Sequence, residues 1–352
     1  MSLPFLHPYI GLSSGLNTRQ AASGGGAGGW VELGRTTLGS TADTISVASL
    51  ADKRYLMVLG HCLPSGDIIY NFRLNGDTGS NYTTRYCDNG AADGTDVSIS
   101  SAYVAGGPIA TQQFGVSYLA NYSTKEKLCI SHAVNQNTAG AGTAPSRREA
   151  VTKHAQTTNP ISQYTAFNTQ AGDYASGSEV VVLGWDPADT HTTNFWTELA
   201  SVQGTASSQI LSSGTITAKK YLWIQGFAGD NGGGHNSAIQ FNNDTATNYA
   251  TRRSLDGGAD DASWLSQAYA QVGTNSNCFF NYFIINNSAN EKLCIGHFAQ
   301  RSTAGAGTAP ARGEFVCKWT NTSAQITEID LMQQTTSINW GTDVYMKVWG
   351  SN

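Results

Sequence analysis

A stretch of this chain returns nearly unchanged 165 residues later. Glu126-Lys-Leu-Cys-Ile130 and Thr138-Ala-Gly-Ala-Gly-Thr-Ala-Pro145 recur as Glu291-Lys-Leu-Cys-Ile295 and Thr303-Ala-Gly-Ala-Gly-Thr-Ala-Pro310, with 14 of 20 positions identical. Upstream, Asn75-Gly-Asp-Thr-Gly-Ser-Asn-Tyr-Thr-Thr-Arg85 recurs as Asn242-Asn-Asp-Thr-Ala-Thr-Asn-Tyr-Ala-Thr-Arg252 at an offset of 167. Trp30-Val-Glu-Leu33 and Trp196-Thr-Glu-Leu199 open the two copies, and segments ending in Trp185 and Trp349 close them. Offsets that drift by only a residue or two mean that a whole module was duplicated, with small changes in loop length. The period far exceeds the 20–50 residues typical of solenoid repeats, so each copy is a domain in its own right.

The boundaries follow from the repeat. Module 1 is expected over residues 29–186, a linker over 187–193 and module 2 over 194–352. Residues 1–28 form an N-terminal arm set off by a Gly-rich stretch; Phe5, Tyr9, Ile10 and Leu12 suit it to docking on a neighbouring surface. A total of 352 residues accommodates two such domains, each able to bury its own core. Charged residues are only 13% of the chain, against roughly 25% in ordinary soluble proteins. Hydroxyls and amides must therefore carry much of the surface. With a net charge of -5 and no Lys/Arg run, the footprint of a nucleic-acid binder is missing. The N-terminus lacks a basic region followed by a long apolar run, so neither a secretory signal nor a membrane span is expected. Of six cysteines only Cys129 and Cys294 match between copies, which predicts free thiols in a reducing compartment rather than a disulfide framework.

Within each copy the local pattern is that of strands. Thr44–Val47, Tyr55–Leu59, Ile68–Leu74, Phe114–Tyr118, Lys127–His132, Glu149–Lys153, Gln163–Phe167 and Glu179–Leu183 are short, rich in β-branched and aromatic residues, and separated by Gly/Asn/Asp turns. No segment holds a 3.6-residue apolar period over three turns. The expected fold is all-β: two tandem antiparallel β-sandwiches, jelly-roll-like, with about eight strands each.

The conspicuous polar residues are expected to be structural. Asn75-Gly-Asp-Thr-Gly-Ser-Asn81 resembles a Ca²⁺ loop but lacks a closing Glu, and an Asn-Gly turn capped by Asp77 explains it as well. The recurring Arg suggests ion pairs pinning that turn, Asp77 with Arg85 and Asp244 with Arg252. Thr138–Pro145 and Thr303–Pro310 lack the Gly-Lys-Ser/Thr of a phosphate loop and read as close-packing loops. Arg147/Arg312 and Glu149/Glu314 read as charges on a strand edge. His132 and His297 match, but each stands alone in its strand; no nucleophile–base pattern accompanies them, so neither catalysis, metal nor cofactor is expected. On this reading, whatever distinguishes the protein lies where the copies differ: the arm, residues 86–113 and residues 226–237.

Trp30-Val-Glu-Leu-Gly-Arg35, Arg73-Leu-Asn-Gly-Asp-Thr-Gly-Ser-Asn-Tyr82, the Glu-Lys-Leu-Cys-Ile strand and the Thr-Ala-Gly-Ala-Gly-Thr-Ala-Pro string together resemble virion structural proteins of tailed, especially marine, bacteriophages. The resemblance runs from Trp30 to the C-terminus and leaves out the arm. It implies a β-sandwich module of particle surfaces, decoration or fibres, folded in the host cytoplasm and assembled into virions without enzymatic activity. The partners expected are further copies of the chain, a trimer first, and other virion proteins. Three chains of two modules would make a pseudo-sixfold ring, as in double jelly-roll capsid proteins. A carbohydrate-binding, receptor-recognition role is the other reading, with Trp223, Trp264, Trp319 and Trp340 as candidate platforms because module 1 lacks them.

Overall fold

The computed structural model describes residues 29–189, 193–205, 207–229, 237–269, 277–301, 303–333 and 339–352. The arm residues Phe5, Tyr9, Ile10 and Leu12 lie outside the described residues. Module 1 comprises β1 (Val31–Thr37), β2 (Thr44–Val47), β3 (Tyr55–Cys62), β4 (Asn71–Leu74), β5 (Tyr82–Asp88), β6 (Gly94–Ile99), β7 (Ala102–Tyr103), β8 (Gln113–Ala120), β9 (Lys127–Asn135), β10 (Ser146–His154), β11 (Tyr164–Phe167) and β12 (Glu179–Trp185). Module 2 repeats the series: β13 (Thr197–Gln203), β14 (Ile210–Ser212), β15 (Tyr221–Ala228), β16 (Ser237–Phe241), β17 (Tyr249–Leu255), β18 (Asp261–Leu265), β19 (Ala268–Tyr269), β20 (Cys278–Ile285), β21 (Lys292–Gln300), β22 (Ala311–Trp319), β23 (Ile329–Gln333) and β24 (Tyr345–Ser351).

Each module is an antiparallel sandwich of one large and one small sheet. The large sheet runs β1-β12-β3-β8-β9-β10-β5-β6 and the small one β2-β11-β4-β7. In module 2 every strand number rises by twelve and both orders are unchanged. The fold is therefore all-β, two tandem jelly-roll-like sandwiches. Twelve strands per module replace the eight expected. The difference lies in short pieces such as β7 and in β5, whose Tyr82-Thr-Thr-Arg85 reads in sequence as the end of a turn.

The turns are built alike in both copies. Asn75 and Gly76 take φ of 54° and 66°, and the Asp77 N–H donates to Leu74 O at 3.0 Å, closing a tight turn that carries the chain from β4 of the small sheet to β5 of the large one. In module 2 Asn242 and Asn243 take 51° and 55° and Asp244 N–H donates to Phe241 O. Asn tolerates the left-handed region nearly as glycine does, so module 2 lost the Gly without losing the turn.

Three apolar clusters organise the molecule. One fills module 1, with Ile45, Val58, Tyr70, Phe72, Tyr164 and Val182. A second fills module 2, with Ile224, Phe241, Tyr249, Phe280, Trp319 and Trp340. The third lies between the modules and draws Met57, Leu59, Val116 and Val181 from one and Trp223, Phe283, Ile295 and Trp349 from the other. Along β3, Leu56 and Val58 point into the sandwich while Met57 and Leu59 point at module 2. Along β12, Val180 and Val182 face inward and Val181 and Leu183 outward. Strands buried on both faces read as unbroken apolar runs, as these do. The tryptophans that match between the copies, Trp30, Trp196 and Trp349, are buried in this shared layer rather than in either sandwich.

The six cysteines are free thiols, five of them buried. Burial pushes the Cys129 and Cys278 thiols up to about 12. Among the described residues no helix is long and apolar enough to cross a membrane.

Candidate functional site at the module interface

On β9 the residues alternate between the sandwich interior, where Ala133 packs, and the outer face, where Val134 joins the shared layer. That alternation puts His132 on the outer face, and the antiparallel register places Glu149 of β10 directly opposite it. The repeat builds the same pair in module 2, His297 of β21 opposite Glu314 of β22. The modules then meet face to face so that equivalent residues touch: Tyr118 and Phe283 rings lie 6.5 Å apart, His132 and His297 rings 4.3 Å apart. These two contacts join residues to their own counterparts, while the surfaces around them are not reciprocal, so the modules do not pack as an isologous dimer does. His132 and His297, each alone in its strand, are brought together by this packing.

Glu149 Oε1 lies 4.0 Å from His132 Nδ1 and 3.9 Å from His297 Nε2. The same oxygen accepts from Arg147 Nη1 at 2.7 Å, and Arg147 Nη2 donates to Asp260 Oδ1 of the other module at 2.6 Å. Burial would lower the Arg147 pKa, but Asp260 and Glu149 outweigh it and hold the guanidinium charged. Burial lowers His132, and it lowers His297 well below the usual imidazole range, with His132 and Arg147 adding to the effect on His297. Both rings are therefore neutral near pH 7, each with a nitrogen lone pair. His132 Nδ1 is shielded from solvent and makes no hydrogen bond. Glu314 is raised by burial and by the facing charge of Glu149. His132, Arg147, Glu149 and Glu314 border a cleft of about 400 Å³ lined also by Arg85, Ile130, Val151 and Arg312. Two neutral imidazoles and a carboxylate that converge within 4.8 Å are a donor set for a borderline-soft divalent metal.

The interface is closed on one flank and open on the other. On the closed flank the Thr138–Pro145 loop of module 1 grips module 2: Gly140 N–H donates to Glu291 Oε1 at 2.5 Å, Lys318 Nζ donates to the carbonyls of Gln136 and Thr138, and Arg252 Nε donates to Pro145 O at 2.8 Å. Gln112 also reaches Glu291 O at 2.9 Å. Glu179 ties the end of β12 to module 2 by accepting from Tyr221 Oη at 2.8 Å, with Lys220 Nζ 3.1 Å away. Burial alone would raise the Glu179 carboxyl, yet bonds from Thr37, Lys220 and Tyr221 hold it below the usual range. On the open flank the equivalent residues turn to their own module. Lys153 pairs with Glu126 at 3.7 Å, Arg85 with Asp93 at 3.6 Å and Arg312 with Glu314 at 2.8 Å, while residues 303–310 are exposed.

The expected ion pairs do not form. Asp77 Oδ1 accepts from Gly79 N–H and its Oδ2 from Asn81, with His154 Nε2 at 2.8 Å; Asp244 makes the same turn with Ala246 and Asn248 and takes Trp319 Nε1–H at 2.7 Å. The turn closes on local amides and on the neighbouring strand, leaving both carboxylates engaged. Arg85 and Arg252 lie on the outer face of β5 and β17, away from it; Arg252 reaches Pro145 O of module 1, and Arg85 pairs with Asp93 of its own module. Of the tryptophans unique to module 2, Trp223, Trp319 and Trp340 are buried, and Trp264 alone is exposed, at 59%. The His132/Glu149/His297 cluster is what reading strand by strand missed. Its signal was the recurrence of His and Glu at equal spacing in both copies.

Fold and site together define a tandem all-β chain whose two sandwiches pack through their large sheets. No protein-family model matches the chain, and no curated protein matches it. Among solved structures, the LG1-3 region of the laminin alpha2 chain aligns over 88% of this chain and 64% of its own length, at 7% identity and a TM-score of 0.22. Mouse laminin alpha1 chain domains LG4-5 align over 94% of this chain and 91% of their own, at 10% identity and a TM-score of 0.19. This chain thus spans less than two thirds of the laminin alpha2 segment. Superpositions this weak leave the strand order of the chain itself as the description of its fold.

Proposed function

We propose that the chain is a non-enzymatic structural protein of a bacteriophage particle surface, a decoration or fibre component that assembles with further copies of itself, a trimer first. The observation that supports this reading is an unmatched apolar strip. Leu128, Ile130 and Val151 stand side by side on the outer face of module 1, Ile130 opposite Val151, and are at least half exposed. Their counterparts Leu293, Ile295 and Val316 are buried against module 1. A surface buried in one copy and bare in the other is a packing surface with room for one more partner. The low charge of the chain favours the same use, and the exposed Trp264 is compatible with glycan recognition by an assembled surface.

Light scattering coupled to size exclusion tests this directly. The wild-type chain is expected to run as a homo-oligomer at micromolar concentration, and Ile130→Asp, a substitution at an exposed position, to release folded monomers. A wild-type chain that is monodisperse and monomeric overturns the reading.

A further inference from the structure

We propose that His132, His297 and Glu149 bind one divalent transition-metal ion, Zn²⁺ or its like, that braces the two modules where their large sheets meet. This inference is independent of the particle-surface role. The three donors come from both modules, so the site exists only when the two large sheets are packed together. Nitrogen and carboxylate donors with no backbone carbonyl cluster favour Zn²⁺, Co²⁺ or Ni²⁺ over Ca²⁺ and Mg²⁺.

Distances decide whether an ion fits. Ligands about 2.0–2.1 Å from a tetrahedral ion stand about 3.3–3.4 Å from one another. Glu149 Oε1 lies 3.9 and 4.0 Å from the two ring nitrogens and all three donors lie within 4.8 Å of one another, so they must draw together by roughly half an ångström to an ångström and a half. Rotations of Glu149 and of both imidazole rings about their χ angles supply that approach, and the second Glu149 oxygen takes no hydrogen bond from Arg147, which donates to Oε1. Charge permits the ion as well. Arg147 faces the site, but Asp260 lies 2.6 Å from its other terminal nitrogen and offsets it. Glu314, with Arg312 beside it at 2.8 Å, lines the same cleft and faces Glu149 as a like charge that a divalent ion would relieve. His132 Nδ1 has no other partner to give up. Water from the cleft completes the coordination, so the chain's own residues supply three ligands and a solvent-facing fourth position.

The test uses the full-length chain, stripped with chelator and then titrated with Co²⁺ and with Zn²⁺. The expected results are one equivalent of Co²⁺ per chain giving the intense visible bands of a low-symmetry, four-coordinate ion, bleached by one equivalent of Zn²⁺, and a higher melting temperature with metal than without. His132→Gln and His297→Gln, each checked for folding by circular dichroism, should weaken binding by about tenfold or more, with Glu149→Gln intermediate. Glu126→Gln, on the open flank, should bind as wild type does. Absence of visible bands in the wild-type chain overturns the proposal, as does binding by a folded His132→Gln/His297→Gln double variant that equals wild type. The spectrum of the wild-type chain decides the matter even if a variant fails to fold.

Discussion

His61 lies fully buried on β3, its Nε2 3.0 Å from Gln112 Oε1, and Gln112 in turn donates across the interface to Glu291 O. Burial brings its pKa down to about 4, the bond to Gln112 opposing only in part. In the unfolded chain the same imidazole titrates near 6.5. A depressed folded pKa means that the unfolded state binds the proton first, so stability is complete above about pH 6.5 and is lost as pH falls towards 4. At pH 5 the unfolded state gains about 1.5 pH units of protonation free energy, about 2 kcal/mol from this residue. His132 and His297 are shifted in the same direction and add to the slope. His61→Asn is expected to lessen the fall in unfolding free energy between pH 7 and pH 5, read from urea denaturation, by about 2 kcal/mol; an unchanged slope would show that His61 does not set it. Nothing in the sequence marks His61, because it has no His counterpart in module 2, where Phe227 stands. Its environment comes from the sheet packed over it. The apolar neighbours, by contrast, were legible: the alternation of β2 and the unbroken run of β12 say where Ile45 and Val182 go.

At the scale of elements, the hairpin β9–loop–β10 and its repeat β21–loop–β22 carry nearly the same sequence into different surroundings. The module 1 loop clasps Lys318 and Glu291; the module 2 loop does not clasp Lys153 and Glu126, which meet each other in solvent. Lys318 has no exposed surface, its charge held by two carbonyls with Glu291 3.9 Å away. Removing one partner of a buried charged group leaves the other uncompensated, at a cost of about 3 kcal/mol or more. Exposed pairs contribute about 0–1 kcal/mol. Lys318→Met is therefore expected to lower the unfolding free energy by about 3 kcal/mol and Lys153→Met by less than about 1 kcal/mol, both read from urea denaturation. Equal losses would show that the flanks are equivalent. The longer strands, the turns at Asn75 and Asn242, and the close packing of the Thr-Ala-Gly-Ala-Gly-Thr-Ala-Pro loop in module 1 were legible in the sequence, while β5 and short pieces such as β7 were not. The pairing of Asp77 with Arg85 was a false inference from proximity in the chain. In a strand, Tyr82 and Arg85 point to opposite faces, so the Arg leaves the turn that its neighbour closes. The His/Glu site stayed hidden for a different reason: each half is unremarkable alone, and only the packing of the two large sheets against each other makes it a cluster. If the ion binds as proposed, the expectation that matched residues are scaffold, with individuality confined to where the copies differ, has its exception at His132 and His297.

For the molecule as a whole, the shared layer between the large sheets determines whether the chain behaves as two domains or one. Trp223 reaches from β15 into that layer, its ring 5.3 Å from Phe283 and 5.2 Å from Trp349, with its Nε1–H donating to Asn281 at 2.6 Å. Module 1 supplies Met57, Leu59, Phe114, Val116 and Val181 to the same cluster. A face this apolar, exposed on an isolated sandwich, would be a large unsatisfied patch. Burying it within one chain needs no encounter between chains, because the linker keeps the partner's effective concentration high. The stability of each module then includes the free energy of burying this face, and the two should unfold together. Trp223→Ala removes a large buried ring and is expected to destabilise by about 3–5 kcal/mol. The measurement that matters is its pattern in calorimetry. With a shared layer, one transition shifts as a unit, and the module 1 signal, followed through a fluorinated tyrosine at Tyr70 in the module 1 core, moves with the module 2 signal. If the modules were independent, the change on β15 would lower one of two transitions and leave Tyr70 reporting an unaltered midpoint.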